Sequence, residues 1–364
     1  MSRIVIDARE YSSSTGRYMF RLLDNLQRLP SDHEYIVLLK PYDMELAKND
    51  DPRFTKLECP HKEFTLDEQT GLLRQVNGLR PNLVHFGKDH QPVLYRGRTV
   101  TTMHDLTTLR FNNPSKNRLV FKLKQAVYRW VVKRVARKSN AIITPSQFTK
   151  DDIVRYAGVN PGKIQVIPLA ADVITNQPEA FPGLVGKRFI MYVGRPMPHK
   201  NLGRLIEAFQ KLQARHPDLN LVLAGKKDKN YANVEADAKR HGIKNLIFTG
   251  RVSDGQLRWL YENCAAYVFP SLSEGFGLPG LEAMAHGAPV VSSDATSLPE
   301  VYGEAARYFD PRDVNAMADA INQVLTDKNL RDGLIKRGYE QVKRYSWRRT
   351  AEQTLAVYDQ VLRS

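Results

Sequence analysis

The chain has 364 residues, 42% hydrophobic and 26% charged, with a formal net charge of +15 and a pI near 9.7. That length predicts two domains, and the composition is that of a globular protein. Two distant cysteines, Cys59 and Cys264, exclude a disulfide framework and fit a reducing compartment, and no apolar run reaches the ~20 residues of a membrane-spanning helix.

The chain opens with Ser2-Arg3-Ile4-Val5-Ile6-Asp7, read as a short strand and not as a signal peptide. Helical spacing follows over 17–29, and a strand over 35–39. Strands are predicted again at 83–86, 99–103, 141–144 and 164–167. Residues 173–187, with Asn176, Pro178, Pro182, Gly183 and Gly186, read as a break and linker. A second series then begins, with strands at 189–193, 219–224, 245–249, 265–269 and 289–292, and helices such as 202–215 between them. This alternation predicts an α/β protein made of right-handed βαβ units in two mostly parallel, doubly wound sheets facing each other across a cleft. Ligands of such sheets bind beyond the carboxyl ends of the strands.

The most informative stretch is Glu274-Gly275-Phe276-Gly277-Leu278-Pro279-Gly280-Leu281-Glu282, between a predicted strand and a predicted helix. Glycines let a backbone approach a ligand closely, and Pro279 suits the first turn of a helix. The free amides and dipole of a helix start favour an anion such as phosphate. The two glutamates accept hydrogen bonds from hydroxyls. Phosphate and hydroxyls together spell a sugar phosphate. Gly275-x-Gly277-x-x-Gly280 also fits the dinucleotide fingerprint, with Asp294 after the next strand. The match falls in the fourth strand–helix unit of its half, so an NAD-dependent enzyme ranks below sugar-nucleotide binding.

Tyr192-Val193-Gly194-Arg195 leads to Lys200-Asn201 at another carboxyl end, where Arg195 and Lys200 could flank one diphosphate. Alone, these residues are equally a solvated basic loop. At the amino end, Ser12-Ser13-Ser14-Thr15-Gly16-Arg17-Tyr18 reads as a polar loop fit to lie near a ligand, or as an ordinary loop with a Thr15 cap. His104-Asp105 follows the strand 99–103 directly and is better placed for chemistry than His85, inside an apolar strand.

From Leu106 to Lys150 there is no acidic residue. Arg118, Lys122, Arg129, Lys133 and Arg137 recur at helical spacing beside an apolar face of Phe121, Tyr128, Val132 and Val135. Such a helix can lie on an anionic membrane surface, or pack on its own sheet with a solvated basic side. Nucleic acid is the rival acidic partner, but zinc-finger and RNA-binding signatures are missing. The expected location is cytoplasmic, peripheral on the inner face of the cell membrane. HExxH, GxSxG, GxxxxGK[ST] and Cys/His metal clusters are absent, as is any Asp-x-Asp pair that would point to a metal-held diphosphate.

Taken together, Glu274-x7-Glu282 with Gly275-Phe276-Gly277-Leu278-Pro279 inside it, Gly194-Arg195 with Lys200-Asn201, Gly16-Arg17-Tyr18, His104-Asp105 and Ser297-Leu298-Pro299-Glu300-Val301 resemble a GT-B glycosyltransferase of retaining family 4, over nearly the whole length. The resemblance implies two Rossmann-like domains, an acceptor-side one over 1–175 and a nucleotide-sugar-binding one over 186–345, with a helix within 346–364 crossing back to the first. It implies transfer of a hexose from a nucleotide-diphosphate sugar, GDP-mannose being the family-level expectation, to a lipid-linked or glycan acceptor, with retention and without a metal or other cofactor. Glu282 would hold the ribose hydroxyls and Glu274 the transferred sugar. Arg195 and Lys200 would neutralise the diphosphate, beside Gly194. Amides of Gly275, Phe276, Gly277 and Leu278 would touch sugar and phosphate, and Gly250, Arg251 and Val252 would lie near the base. His104 would face the sugar, and Gly16 the phosphate or acceptor. The chain departs from many relatives in reading Ser13-Ser14-Thr15 before Gly16, where they have Gly-Ile or Gly-Gly.

Overall fold

The computed structural model describes residues 1–12, 16–111 and 118–364, with the side chains of 118–123 and 229 excepted. Thirteen strands among these residues form two sheets, each parallel in every pairing. The first holds β1 (Arg3–Asp7), β2 (Glu34–Leu39), β3 (Phe54–Glu58), β4 (Leu83–Phe86), β5 (Thr99–Thr102), β6 (Ala141–Thr144) and β7 (Ile164–Val166), in the order β3-β2-β1-β4-β5-β6-β7. The second holds β8 (Phe189–Val193), β9 (Asn220–Ala224), β10 (Leu246–Gly250), β11 (Ala266–Phe269), β12 (Val290–Ser293) and β13 (Ala306–Phe309), in the order β10-β9-β8-β11-β12-β13. Central strands such as β9 and β11 are buried at every residue, as their unbroken apolar runs require when helices cover both faces. In each sheet the first strand in sequence lies inside the order. Successive connections therefore leave β1 and β8 in opposite directions, which opens a crevice at their carboxyl ends.

The chain divides into two compact units. One comprises Met1–Arg110, Ser115–Leu169 and Ser346–Ser364; the other comprises Phe111–Pro114 and Ala170–Tyr345. The sequence reading left 176–185 outside both domains. The structure instead joins this stretch to the second unit and ties it to the helix Asp254–Asn263. Arg258 Nη1 donates to the Asn176 carbonyl at 3.0 Å, Glu179 N to the Gly255 carbonyl at 3.1 Å, and Ser253 Oγ to Glu179 Oε2 at 2.9 Å. Glycine and proline content marked irregular backbone, but not looseness.

The helix Trp347–Arg363 belongs to the first unit. Ser346 caps it, and its Trp347, Ala351, Tyr358 and Val361 are buried against the helix Arg17–Leu26 and strands β4, β5 and β6. A polar chain runs through this contact. His85 Nδ1 bonds Tyr358 OH at 2.6 Å, its Nε2 bonds Thr102 Oγ1 at 2.8 Å, and Thr102 Oγ1 bonds Tyr18 OH at 2.9 Å. His85 is fully buried, and burial pushes its imidazole down to about 3, so it is a neutral structural linker.

Candidate functional site

The loops of the second unit that the sequence singled out all leave carboxyl ends of its strands. β8 exits through Gly194, at φ +150, whose amide donates to the Ala224 carbonyl at 3.0 Å. A side chain there would run into the Tyr192 ring and hydroxyl. The Arg195 side chain is 55% exposed and touches Asp228 Oδ2 at 3.3 Å. Lys200 closes the short helix Pro198–Lys200 and is folded inward. Its Nζ donates to Glu274 Oε1 at 2.6 Å, lies 5.6 Å from the centre of the Phe269 ring, and the pair is only 19% and 13% exposed. Lys200 thus meets an acid on the neighbouring loop, where the sequence reading gave it to a diphosphate alone.

Asn201 locks this arrangement. It sits at φ +60, a conformation asparagine tolerates, and its Nδ2 donates to the carbonyls of Pro270 at 3.0 Å and Pro311 at 2.7 Å. The Leu272 amide donates to the His199 carbonyl at 2.7 Å. The loops after β8 and β11 are therefore stitched through backbone. The Glu274 amide donates to Thr296 Oγ1 at 3.0 Å, and Ser297 Oγ donates to the Glu274 carbonyl at 3.0 Å. Thr296 lies at φ +59, strained for a β-branched residue and held there by this contact.

Gly277, at φ +101, begins the helix Leu278–Ala285, with Pro279 in its first turn. A Cβ at Gly277 or Gly280 would strike Tyr302, whose hydroxyl donates to the Gly277 carbonyl at 2.5 Å. Two of the three glycines of the dinucleotide fingerprint, Gly277 and Gly280, thus answer to Tyr302, which weakens that reading. Phe276 is buried edge-on to Tyr345, and Gly275 precedes it. Glu282, one turn into the helix, is buried at 5% exposure. Gly250, at φ +72, ends β10 and accepts the Gly225 amide at 3.1 Å; Arg251 after it is exposed and Val252 half-buried.

Sequence reading missed Thr296, and it named Asn201 and Tyr192 within the Gly194 loop motif without giving either a role. The Tyr192 hydroxyl is buried beside Gly194 with no hydrogen-bond partner among the described residues, and Ser271 Oγ is in the same state. No motif signals such groups; their roles come from contacts between distant segments.

In the first unit, Gly16 lies against the carbonyls of Glu10 and Tyr11, which leaves no room for a Cβ. Its neighbours 13–15, including the Thr15 cap, lie outside the described residues. His104 sits edge-on to Tyr18 at 4.9 Å between ring centres. Burial, then the Lys88 cation, pushes its imidazole down to about 4, so it is neutral at pH 7. It lines a cavity of about 20 Å³ with Lys88, Glu10, Arg9 and Glu63. Lys88 pairs with Glu10 at 2.7 Å, and buried Arg9 with Asp7 at 2.8 Å and Glu68 at 3.0 Å.

The helix Arg118–Lys138 forms as read, but Val132 and Val135 of its apolar face are core residues of the first unit. The side chains of Arg118, Lys122 and Phe121 lie outside the described residues. Arg129, Lys133 and Arg137 are exposed, and so are Val127 at 54% and Trp130 at 57%. Lys133 Nζ stands 5.0 Å over the Tyr156 ring, and Arg137 Nε donates to the Ala157 carbonyl at 3.0 Å. Among the described residues, no helix is long and apolar enough to cross a membrane and no cluster of His, Cys, Asp and Glu could hold a metal ion.

Residues 174–341 match the family described as glycosyl transferases group 1, and residues 15–174 match glycosyltransferase family 4. The chain is 33% identical over 300 residues to the O-antigen chain mannosyltransferase B of Escherichia coli, covering 74% of this chain and 75% of that one. It is 33% identical over 252 residues to the MMP alpha-(1->4)-mannosyltransferase of Mycolicibacterium hassiacum, covering 66% of this chain and 60% of that one. Among solved structures, sucrose-phosphate synthase from Thermosynechococcus elongatus superposes with a TM-score of 0.78 at 18% identity, covering 99% of both chains. Anabaena HepE in complex with UDP and glucose does so at 0.75 and 17%, covering 99% of both chains. At those identities the likeness is one of fold.

Proposed function

The chain belongs to glycosyltransferase family 4 and is a glycosyltransferase of the GT-B fold, and from that premise we propose that it moves mannose from GDP-mannose, with retention, onto a lipid-linked or glycan acceptor. The curated relatives support the sugar, since both named above are mannosyltransferases. The observation that carries the donor reading is the stitched pair of loops at the carboxyl ends of β8 and β11. It gathers Arg195, the Lys200–Glu274 pair, the Gly277 helix start and buried Glu282 at one edge of one sheet.

The roles follow from availability. When the bond from the sugar to the diphosphate breaks, its electrons pass to the departing diphosphate, and the sugar takes on oxocarbenium character. Cations and helix amides aimed at the leaving oxygens stabilise that state more than the ground state. Arg195, largely exposed with one long contact, is the more available cation. Lys200 is already compensated by Glu274 and must share its charge, so it reports on phosphate and sugar positions together. Glu282 accepts hydrogen bonds from the ribose hydroxyls. These protein charges supply what a metal would, and we propose a metal-independent reaction. We assign no protein nucleophile. The exposed Arg129, Lys133 and Arg137, with Val127 and Trp130 among them, support docking on an anionic membrane surface.

A donor-hydrolysis screen of the purified protein tests the reading. GDP-mannose should be consumed in preference to UDP-hexoses, with EDTA present. A shift in melting with NAD and none with any sugar nucleotide would end it.

A further inference from the structure

One side chain next to the donor helix has a role that no motif assigns. The helix Leu278–Ala285 ends at His286, followed by Gly287 at φ +76. The His286 imidazole is buried at 7% exposure and stacked on Tyr261, with ring centres 5.6 Å apart and planes at 16°. Its two nitrogens face backbone groups of opposite kind. Nε2 receives the Ile174 N–H at 3.0 Å, and Nδ1 lies 2.7 Å from the Glu282 carbonyl. An amide can only donate and a carbonyl can only accept. The ring must therefore carry its proton on Nδ1 and leave Nε2 bare, which fixes both the tautomer and the neutral state. The Glu282 carbonyl, in the last turn of the helix, accepts that Nδ1 proton.

We infer that His286 is a positioning residue for the donor site: its neutral imidazole bridges the backbone of Ile174 to that of Glu282 and so holds the turn from which the Glu282 carboxylate projects. Ile174 belongs to the stretch that Arg258 and Gly255 also tie down, so the bridge joins the donor helix to a fixed strand of chain. Protonation at Nε2 would set N–H against N–H and break the bridge. Burial and Arg258 oppose that protonation, while Glu262, paired with Arg258 at 2.7 Å, favours it; the Tyr339 hydroxyl lines the same cavity. Burial holds the imidazole below its ordinary 6.5, so the bridge is still intact at 6.5 and breaks only as pH falls through that lowered value, while its contribution to stability is full above 6.5 and declines below it.

The inference rests on Glu282 holding the donor, and the experiment separates the two. Donor dissociation constants for GDP-mannose are measured from pH 5.5 to 8 for the wild type and for His286→Gln, His286→Asn and His286→Ala, with melting temperature as the check on folding. Glutamine places an acceptor near the Nε2 position, and asparagine a donor near the Nδ1 position. Each keeps one half of the bridge and does not titrate. The alanine variant should bind donor about three- to tenfold more weakly at pH 8, as the loss of one or two neutral hydrogen bonds implies. Gln and Asn should fall between it and wild type. Wild type should weaken towards the alanine value only in the acid part of the range, below 6.5, while the Gln variant stays flatter there. Equal affinities for all four proteins at pH 8, or the same acid limb in wild type and Gln, would overturn the role of His286. If Glu282→Gln binds donor as wild type does, the reading of the donor site fails instead.

Discussion

Replacing Lys200 with alanine removes a cation that pairs with Glu274 and, in the proposed reaction, also serves the departing diphosphate. In the structure its ammonium donates at 2.6 Å to Glu274, and both side chains are less than one-fifth exposed. Glu274 then keeps its charge in a partly desolvated place. A charge-assisted hydrogen bond of this kind contributes about 1.5–3 kcal/mol. If Lys200 also bears on the departing diphosphate, a loss of that size in the transition state lowers kcat/KM by about 10- to 150-fold. The structural share of the pair is read separately, as a fall in melting temperature of roughly 2–12 °C. The informative comparison is Lys200→Ala combined with Glu274→Ala against Glu274→Ala alone, because Glu274 is itself assigned to the transferred sugar. Removing the stranded acid should recover stability, while turnover in the double variant should fall below that of Glu274→Ala. Steady-state kinetics with GDP-mannose and calorimetry on the four proteins measure both. Activity within threefold of wild type in Lys200→Ala would refute the assignment.

Three other outcomes follow from the geometry. Gly277→Ala places a methyl group against Tyr302 and Leu298 at φ +101, and should cost about 2–4 kcal/mol in chemical denaturation; part of it should return in a Tyr302→Phe background, and no loss at all would mean the loop adapts freely. His85 is neutral in the fold, with its imidazole at about 3 against an ordinary 6.5, so its contribution is present above pH 6.5 and drains away by about 1.4 kcal/mol per unit as pH falls towards 3. His85→Gln, though less stable at pH 7, should lose stability with acid less steeply, and an identical slope would contradict the assignment. Reversing the charges of Arg129, Lys133 and Arg137 should abolish sedimentation with anionic vesicles while leaving hydrolysis of soluble donor intact; undiminished pelleting would remove the membrane contact from this helix.

The strands that carry chemistry were legible because they are central. Ile4–Ile6, Phe189–Val193 and Ala266–Phe269 are apolar on both faces and announce themselves without periodicity analysis. Both strands that the sequence reading passed over, Phe54–Glu58 and Ala306–Phe309, are edge strands with exposed or half-exposed polar members such as Lys56 and Arg307, and their short alternation resembles a loop. In the site, Glu274-x7-Glu282 and the Gly194–Lys200 loop could be found because each is contiguous. The pairing of Lys200 with Glu274 spans 74 positions, and Asn201 reaches Pro311 across 110; these depend on which strands become neighbours, which local pattern does not encode. Conversely, the apolar face of the helix Arg118–Lys138 was visible, but whether Val132 and Val135 met a membrane or the core could be decided only by the burial of those side chains.

The placement of the helix Trp347–Arg363 sets an order on how the molecule is made. Its Tyr358 completes the hydrogen-bond chain through His85, Thr102 and Tyr18 of the first unit, yet it emerges from the ribosome after all of 170–345. The second unit holds every strand of its own sheet before that helix is synthesised, so it can mature during translation. The half that begins first is completed last, and it must wait with His85 Nδ1 lacking its Tyr358 partner at a partly uncovered core until nascent-chain synthesis delivers the missing helix.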